Sequence, residues 1–389
     1  MLVLLPQMPH DPASGASRTV STIAELLAGS GFAVRTIATT ATERYAPLDG
    51  AEWLAGQGIA FVREGRVLRF VRRGVSYGLL DTGTLGVTRA MAAHAAEYDA
   101  LVDAEAVRFR PDVVFTYGAS TAEVARRRRL RSGGARLVFG LYNTRYAARG
   151  FFDHTDAVIT PSAFLSRYYR DRIALKSTPL PTPLWPGDVI ATQRRPSAVT
   201  MVNASLEKGL VVFAAIVCRL AASHPHIPIE VVLGREDESF VRQAAYLAGA
   251  DFDAHPHLTV RRCESALPRE IFSSTRVLLV PSLVKDAAPR VVAEALVNGA
   301  VPIGSDRGGI PEMCAGAGFV VAVPRAITSR DLTALPSSVV QPWVERIVSL
   351  FTDDAAWREA SARATIAGRA YLPPAVADAY ASFFRAVVR

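Results

Sequence analysis

The chain has 389 residues, of which 50% are hydrophobic and 21% charged, with a formal net charge of +8. That length is ample for two domains with real cores, and the lack of any run of about 18 apolar residues argues against a membrane-spanning helix. Cys218, Cys263 and Cys314 are too few and too scattered for a disulfide framework or a zinc site, which fits a reducing cytoplasm.

Met1 to Gln7 is apolar, lacks a basic lead-in and runs into Pro6 and Pro9, so it reads as a buried strand rather than a signal peptide. Arg18 to Ala28 carries apolar residues at helical spacing, Gly31 marks its stop, and Val34 to Thr39 is strand-like. After a less regular stretch come the buried-strand runs Asp112–Thr116, Arg136–Gly140 and Asp156–Thr160, with helical patterns nearby. Alternation of this kind predicts an α/β fold with a parallel sheet covered on both faces.

Five prolines between Lys176 and Ser197 predict a break in regular structure and a semi-rigid hinge. The alternation restarts with strands at Val199–Val202, Ile229–Leu233, Leu258–Arg261, Val277–Val280 and Val301–Gly304, and helices close the chain from about Gln341. The expected organisation is a first domain over 1–178, a linker over 179–197, a second domain over 198–370 and a terminal helix over 371–389. Two such domains place a ligand cleft at the carboxyl ends of their strands.

The most informative stretch runs from Pro281-Ser282 through Asp286, Pro289, Arg290 and Glu294-Ala295 to Gly299, then on to Gly308-Gly309-Ile310-Pro311-Glu312. A strand ends at Ser282, a loop carries Asp286, and a helix opens at Pro289, where the missing N–H does no harm. The backbone N–H groups of Arg290 and Val291 then suit a diphosphate. Asp286 and Glu294 would be repelled by phosphate, so their targets are neutral hydroxyls of a sugar or a ribose.

This stretch resembles the signature of the retaining glycosyltransferases of family 4, which have the GT-B fold: two Rossmann-like domains facing each other across a cleft. The resemblance puts Asp286 on donor-sugar hydroxyls and Glu294 on the ribose of a nucleotide-diphosphate sugar. It puts Lys208, in Ser205-Leu-Glu-Lys-Gly209, on the donor phosphates, where an ammonium would neutralise the leaving diphosphate. Gly15, in the loop Asp11-Pro-Ala-Ser-Gly15, would approach those phosphates by backbone. The family often has an arginine where this chain has Asn203; Arg235 or Arg290 could supply the charge. Ala288-Pro289 replaces a common Phe-Gly, and aspartate at 286 replaces a glutamate. The resemblance further implies retention of anomeric configuration, no bound metal or other cofactor, a terminal helix that crosses back to the first domain, and a nucleotide base near Arg262 to Ser265.

For the acceptor, Tyr117 and Asn143 follow strands of the first domain and His10 follows the first strand. Each is an acceptor contact or a local structural residue: a turn for Asn143, an exposed loop for His10. The pairs His224/His226 and His255/His257 read as surface turns rather than metal ligands. Arg126 to Arg129 with Arg131, and Arg63, Arg66, Arg69, Arg72 and Arg73, form basic runs that are solvated faces or a peripheral membrane contact at the inner leaflet. No aromatic interleaving or reader motif points to nucleic acid. The expected activity is sugar transfer, from UDP- or GDP-sugar in first place, to a sugar, lipid-linked or small-molecule acceptor. A non-catalytic nucleotide-sugar binder and a sugar-nucleotide epimerase are the alternatives.

Overall fold

Runs of valine, leucine, isoleucine and phenylalanine that are buried on both faces become the strands of two open sheets, one in each of two compact units. A computed structural model describes residues 1–43, 49–262 and 267–389. The first unit is Met1–Pro183 with Pro373–Arg389, and the second is Leu184–Leu372.

The first unit contains β1 (Leu2–Leu4), α1 (Gly15–Gly29), β2 (Val34–Thr39), α2 (Gly50–Gly56), β3 (Val62–Glu64), β4 (Val67–Arg72) and β5 (Val75–Leu80). It continues with α3 (Val87–Phe109), β6 (Val113–Thr116), α4 (Thr121–Ser132), β7 (Arg136–Gly140), β8 (Ala157–Thr160), α5 (Ala163–Ile173) and β9 (Thr178–Pro179). The second unit contains α6 (Pro186–Val189), β10 (Ala198–Val202), α7 (Leu210–Ser223), β11 (Ile229–Leu233), α8 (Glu238–Leu247), β12 (Leu258–Arg262), α9 (Arg269–Phe272) and β13 (Thr275–Val280). Then follow α10 (Arg290–Val297), β14 (Val301–Ser305), α11 (Ile310–Cys314), β15 (Phe319–Val321), α12 (Ser337–Thr352) and α13 (Asp354–Gly368). The last helix, α14 (Pro373–Val388), belongs to the first unit and packs on α1.

Among the described residues the first sheet has the order β3-β4-β5-β2-β1-β6-β7-β8-β9, and the second β12-β11-β10-β13-β14-β15. Every pairing is parallel except β3 with β4 and β4 with β5, an antiparallel edge that the alternation pattern did not predict. Arg63, Arg69 and Arg72 interrupt β3 and β4, and Ser76 and Gly78 interrupt β5, so no continuous hydrophobic run marks them. In each sheet the chain leaves in opposite directions from one pair of strands: β1 and β6 in the first, β10 and β13 in the second. Such switch points open a crevice at the carboxyl ends of the strands, where ligands bind in folds of this kind.

Regular structure does occur in the proline-rich stretch. Thr178–Pro179 pairs along β8 at the sheet edge, where proline forfeits no interior bond, and Pro186 opens α6 at its first turn. Asn298 then ties this stretch to α10: its Nδ2 donates to the Val189 carbonyl at 2.7 Å and its Oδ1 accepts from Ala191 N at 2.9 Å.

The terminal helix is part of the first core. Phe384 is fully buried with its ring edge-on to Phe115 at 5.5 Å, and the Tyr380 hydroxyl donates to the carbonyl of Pro181 at 3.1 Å. Phe384→Ala is therefore expected to destabilise the first unit by about 3–5 kcal/mol. Calorimetry should show a lowered transition for that unit and an unmoved one for the second; a uniform shift of both would contradict the assignment of α14.

Candidate functional site

At the switch point of the second sheet, the loop after β10 carries Lys208 and the loop after β13 carries Asp286. The two side chains meet: Lys208 Nζ donates to Asp286 Oδ1. The second carboxylate oxygen, Oδ2, is shielded from solvent and accepts no hydrogen bond among the described residues.

Glycines make this juxtaposition possible. Gly209, at φ +85°, lies so close to Pro281 that a Cβ would stand 1.9 Å from its carbonyl oxygen. Gly308, at φ +62°, packs against the backbone of Asp286, and a Cβ there would come within 2.2 Å of the Asp286 oxygen. Gly309 N donates to that same oxygen at 2.7 Å. Ser282 fastens the neighbouring loop by donating to the Glu207 carbonyl at 3.2 Å, and Ser305 Oγ donates to the Ser282 carbonyl at 2.6 Å. Three loops are thus locked together around one cation and one acid.

The helix after Asp286 starts one residue later than the sequence reading expects. Pro289 is the N-cap, with ψ 111°, and Arg290 is the first helical residue. Extended ψ at Pro289 turns the chain into the helix before helical geometry begins. Val291 is half-buried in the first turn. Arg290 and Glu294 are both buried, with Arg290 Nε donating to Glu294 Oε1 at 2.9 Å one turn on. The helix ends as Gly299 implies: Gly299 N donates to Leu296 O and Ala300 N to Ala295 O, with Gly299 at φ +62°.

Asn203 ends β10 in the left-handed region at φ +59°, and its Oδ1 accepts from Arg235 N at 3.0 Å. It fastens the turn after β11 and draws the exposed Arg235 beside the β10 loop. Arg262 donates to the carbonyls of Gly234 and Glu236. Of the expected base-binding stretch, 263–265 lies outside the described residues.

At the first switch point, the loop after β1 meets the residue after β6. The Tyr117 hydroxyl donates to Gln7 Oε1 at 2.8 Å, and Gln7 Nε2 donates to Asp11 Oδ2 at 3.3 Å. Asp11 is fully buried; its Oδ1 accepts from Ala13 N and its Oδ2 from Glu43 N. Burial first, then the nearby charges of Glu43 and Asp11, push the Tyr117 hydroxyl well up, so it remains a donor. Tyr142 packs edge-on to Tyr117, and its own hydroxyl is buried with no hydrogen-bond partner among the described residues. Gln7 and Asp11 are additions to the site residues expected from the sequence, while Tyr142 follows its strand beside Asn143 as expected; the Asp-Pro step was the visible signal for Asp11. Gly15 is the exposed first residue of α1, behind the N-cap Ser14.

Asn143 and His10 have structural partners. Asn143 Oδ1 accepts from Arg145 N at 2.9 Å, a local turn. His10 is folded in against the helix, where its Nε2 lies 2.9 Å from Oε1 of the buried Glu25. Arg72 and Arg73 reach the same carboxylate. Burial alone would raise the Glu25 carboxyl, but His10, Arg72 and Arg73 together hold it below its ordinary 4.5.

The basic runs are largely compensated. Arg126 and Arg127 are buried: Arg126 pairs with Asp99 at 2.6 Å, and Arg127 donates to the carbonyls of Gly118, Phe151 and Asp153. Arg129 and Arg131 pair with Asp99 and Asp156. Arg63 meets Asp81, Arg66 meets Glu97, and Arg69 meets Glu64. The α4 run is therefore half interior scaffold, a correction to its reading as a solvated or membrane-facing stripe. His255 is buried rather than at the surface, with Nδ1 accepting from His257 N at 3.2 Å. Among the described residues no three His, Cys, Asp or Glu side chains are grouped to hold a metal ion, and no helix is long and apolar enough to cross a membrane.

No protein-family model matches the chain, and no curated protein sequence matches it. Solved structures do. Sucrose-phosphate synthase from Thermosynechococcus elongatus superposes with TM-score 0.72 at 16% identity, over 100% of this chain and 99% of that one. The HepE protein of Anabaena in complex with UDP and glucose gives 0.67 at 12% identity, over 99% and 100%. The catalytic domain of starch synthase IV from Arabidopsis thaliana, bound to ADP and acarbose, gives 0.67 at 10%, over 100% and 99%. The chain has the fold of the GT-B glycosyltransferases.

Two outcomes test this description. Gly308→Ala should destabilise the second unit and lose any nucleotide-dependent stabilisation, because its Cβ must displace the Asp286 backbone. Gly316→Ala, also at positive φ (+71°) but with nothing within 4 Å, should cost only backbone strain of about 1–2 kcal/mol. The Glu25 cluster should set part of the acid limb of stability. Its contribution is complete above pH 4.5 and fades as pH falls through the lowered folded value. Glu25→Gln should flatten that limb in chemical unfolding measured against pH; an unchanged limb would mean the cluster is energetically silent.

Proposed function

We propose that this chain is a glycosyltransferase that moves a sugar from a nucleotide-diphosphate sugar to an acceptor hydroxyl, with retention of anomeric configuration. The observation that carries the reading is the meeting of Lys208 and Asp286 at the switch point of the second sheet. A cation beside an acid with an unused, shielded oxygen suits a donor that is anionic at the diphosphate and rich in hydroxyls at the sugar. The likeness in fold to proteins solved with UDP and glucose or with ADP supports the same reading.

In this reading the diphosphate draws Lys208 from Asp286, and the freed carboxylate accepts hydrogen bonds from sugar hydroxyls. The bond between the anomeric carbon and the diphosphate oxygen breaks as Lys208 neutralises the charge that develops there. The acceptor oxygen forms the new glycosidic bond on the same face, and its proton passes to the departing diphosphate. Val291 lends a backbone N–H at the helix start, Arg235 adds charge, and Glu294 holds the ribose. The first unit selects the acceptor around Tyr117 and Gln7, and Gly15 keeps its expected backbone role toward the donor phosphates. The donor site calls for no metal, and the product belongs to glycoconjugate or polysaccharide synthesis in the cytoplasm. The ion pairing of both arginine clusters gives a peripheral membrane contact little support.

A second reading, a nucleotide-sugar binder without turnover, draws on Asn203: the side chain where the family places a cation is instead used to fasten a turn.

The test is thermal unfolding with UDP, GDP, ADP, dTDP and CDP on the wild type and on Lys208→Ala. A ligand at a hundred times its Kd should stabilise the chain by about 2.7 kcal/mol. The reading expects one nucleotide to raise the wild-type Tm and to lose that effect in the variant. No shift with any of them at millimolar concentration would overturn it, and a shift without sugar transfer or hydrolysis would select the binder.

A further inference from the structure

On the first unit a cavity of about 470 Å³ opens over the sheet beside α3, toward the β4 edge. Its floor is two cross-strand rows, Arg35–Ser76–Val71 and Ile37–Gly78–Arg69, set side by side by the pairing of β2, β5 and β4. Alternation along each strand puts all six on one face. Ser76 is small and exposed, which hollows the first row, whereas the Ile37 and Arg69 side chains close over Gly78, within 3.1 and 3.3 Å of where a Cβ would stand. Val62 extends the second row across Arg69, and Phe61 stands beside it.

One wall is charged. Glu105 of α3 is almost wholly buried and accepts from Arg35 and from Arg108 Nη2, the latter at 2.9 Å, while Arg69 Nη1 stands 3.9 Å away. Arg69 also bonds Glu64, an exposed residue at the rim. Three guanidinium groups against these two carboxylates leave the cavity with net positive charge. The Arg108 side chain, 60% exposed, has donors to spare for a further anion. The opposite rim is apolar: Val62 is 64% exposed and Val71 69%, with nothing of the described chain covering them. A concavity of this volume is in the range of small-molecule sites. It lies toward the amino ends of β2 and β5, since Arg35 and Ser76 are each the second residue of their strands. The loops that follow β1 and β6 are at the other end of the sheet.

We propose that this cavity is a binding site for a small single-chain amphiphile with an anionic head. The head group lies on Arg108 and Arg35, and the alkyl body lies along Phe61, Val62 and Val71. The charge pattern selects an anion; the apolar rim selects against a simple inorganic one. The site is at the end of the first sheet opposite the loops assigned to the acceptor, so its occupant is an effector or an anchor rather than a reactant.

The test is isothermal titration of the full chain with decyl phosphate and with decanoate, both as monomers, and with inorganic phosphate and decanol as half-ligands. One-to-one saturable binding is expected for at least one of the two amphiphiles, at least tenfold tighter than for either half-ligand. The tighter of the two identifies the head group. Arg108→Ala should weaken binding about tenfold, the scale of one charge-assisted hydrogen bond. Ser76→Trp, also at an exposed position, should abolish binding by filling the floor while keeping the wild-type Tm. No saturable binding of either amphiphile would overturn the proposal. So would binding unchanged in both variants, or capture by phosphatidylglycerol vesicles without binding of the monomers. No nucleotide enters the experiment, so its outcome is independent of the sugar-transfer reading.

Discussion

The contact between Lys208 and Asp286 is the constraint around which the second unit is organised. It exists because β10 and β13 are neighbours in the sheet although a large part of the unit's sequence separates them. Opposite charges in a partly buried setting attract, yet each loses hydration on approach, so the net stability of such a pair is small. Its importance is positional. Glycines at 209, 308 and 309 let three loops approach to backbone contact, and any side chain there would push the acid and the cation apart. The pair holds its members ready in a place where a polyanion can compete for the lysine and a neutral polyol for the carboxylate.

Much of this was legible in the sequence. The parallel strands are short continuous apolar runs, and their observed bounds differ from the expected ones by a residue or two, as at Thr275–Val280 and Leu258–Arg262. Lys208, Asp286 and the Gly-Gly loop were legible through their resemblance to the family 4 signature, in which they stand in register. Other features had no local signal. The antiparallel edge β3–β4–β5 mixes arginine with valine, and its pattern shows only when the strands are paired. The burial of Arg126 and Arg127 depends on carbonyls and carboxylates far along the chain, including Asp99, Gly118, Phe151 and Asp153. His10 looked like a loop residue because Glu25, its partner, lies on the next helix.

The arginine-rich composition follows one rule in the first unit. Glu25, Glu105 and Asp99 each gather two or more cations, and at Glu25 and Glu105 burial of the carboxylate strengthens the attraction that holds them. Side-chain stems cover apolar surface while the guanidinium planes bond in fixed directions. The net charge of +8 lies wholly on this unit, because acids and bases balance in the second, so these clusters gather only part of an excess that remains. Where compensation is incomplete, at the cavity around Glu105, the excess sits beside exposed valines, which is why that place and not the α4 run draws the inference above.

The central claim is that the Lys208–Asp286 contact is the nucleotide-sugar site. A crystal structure of the chain with bound UDP addresses it most directly. The account predicts diphosphate oxygens within hydrogen-bond distance of Lys208 Nζ, with the Lys208–Asp286 contact broken. UDP bound elsewhere, or bound with that contact intact, would contradict it.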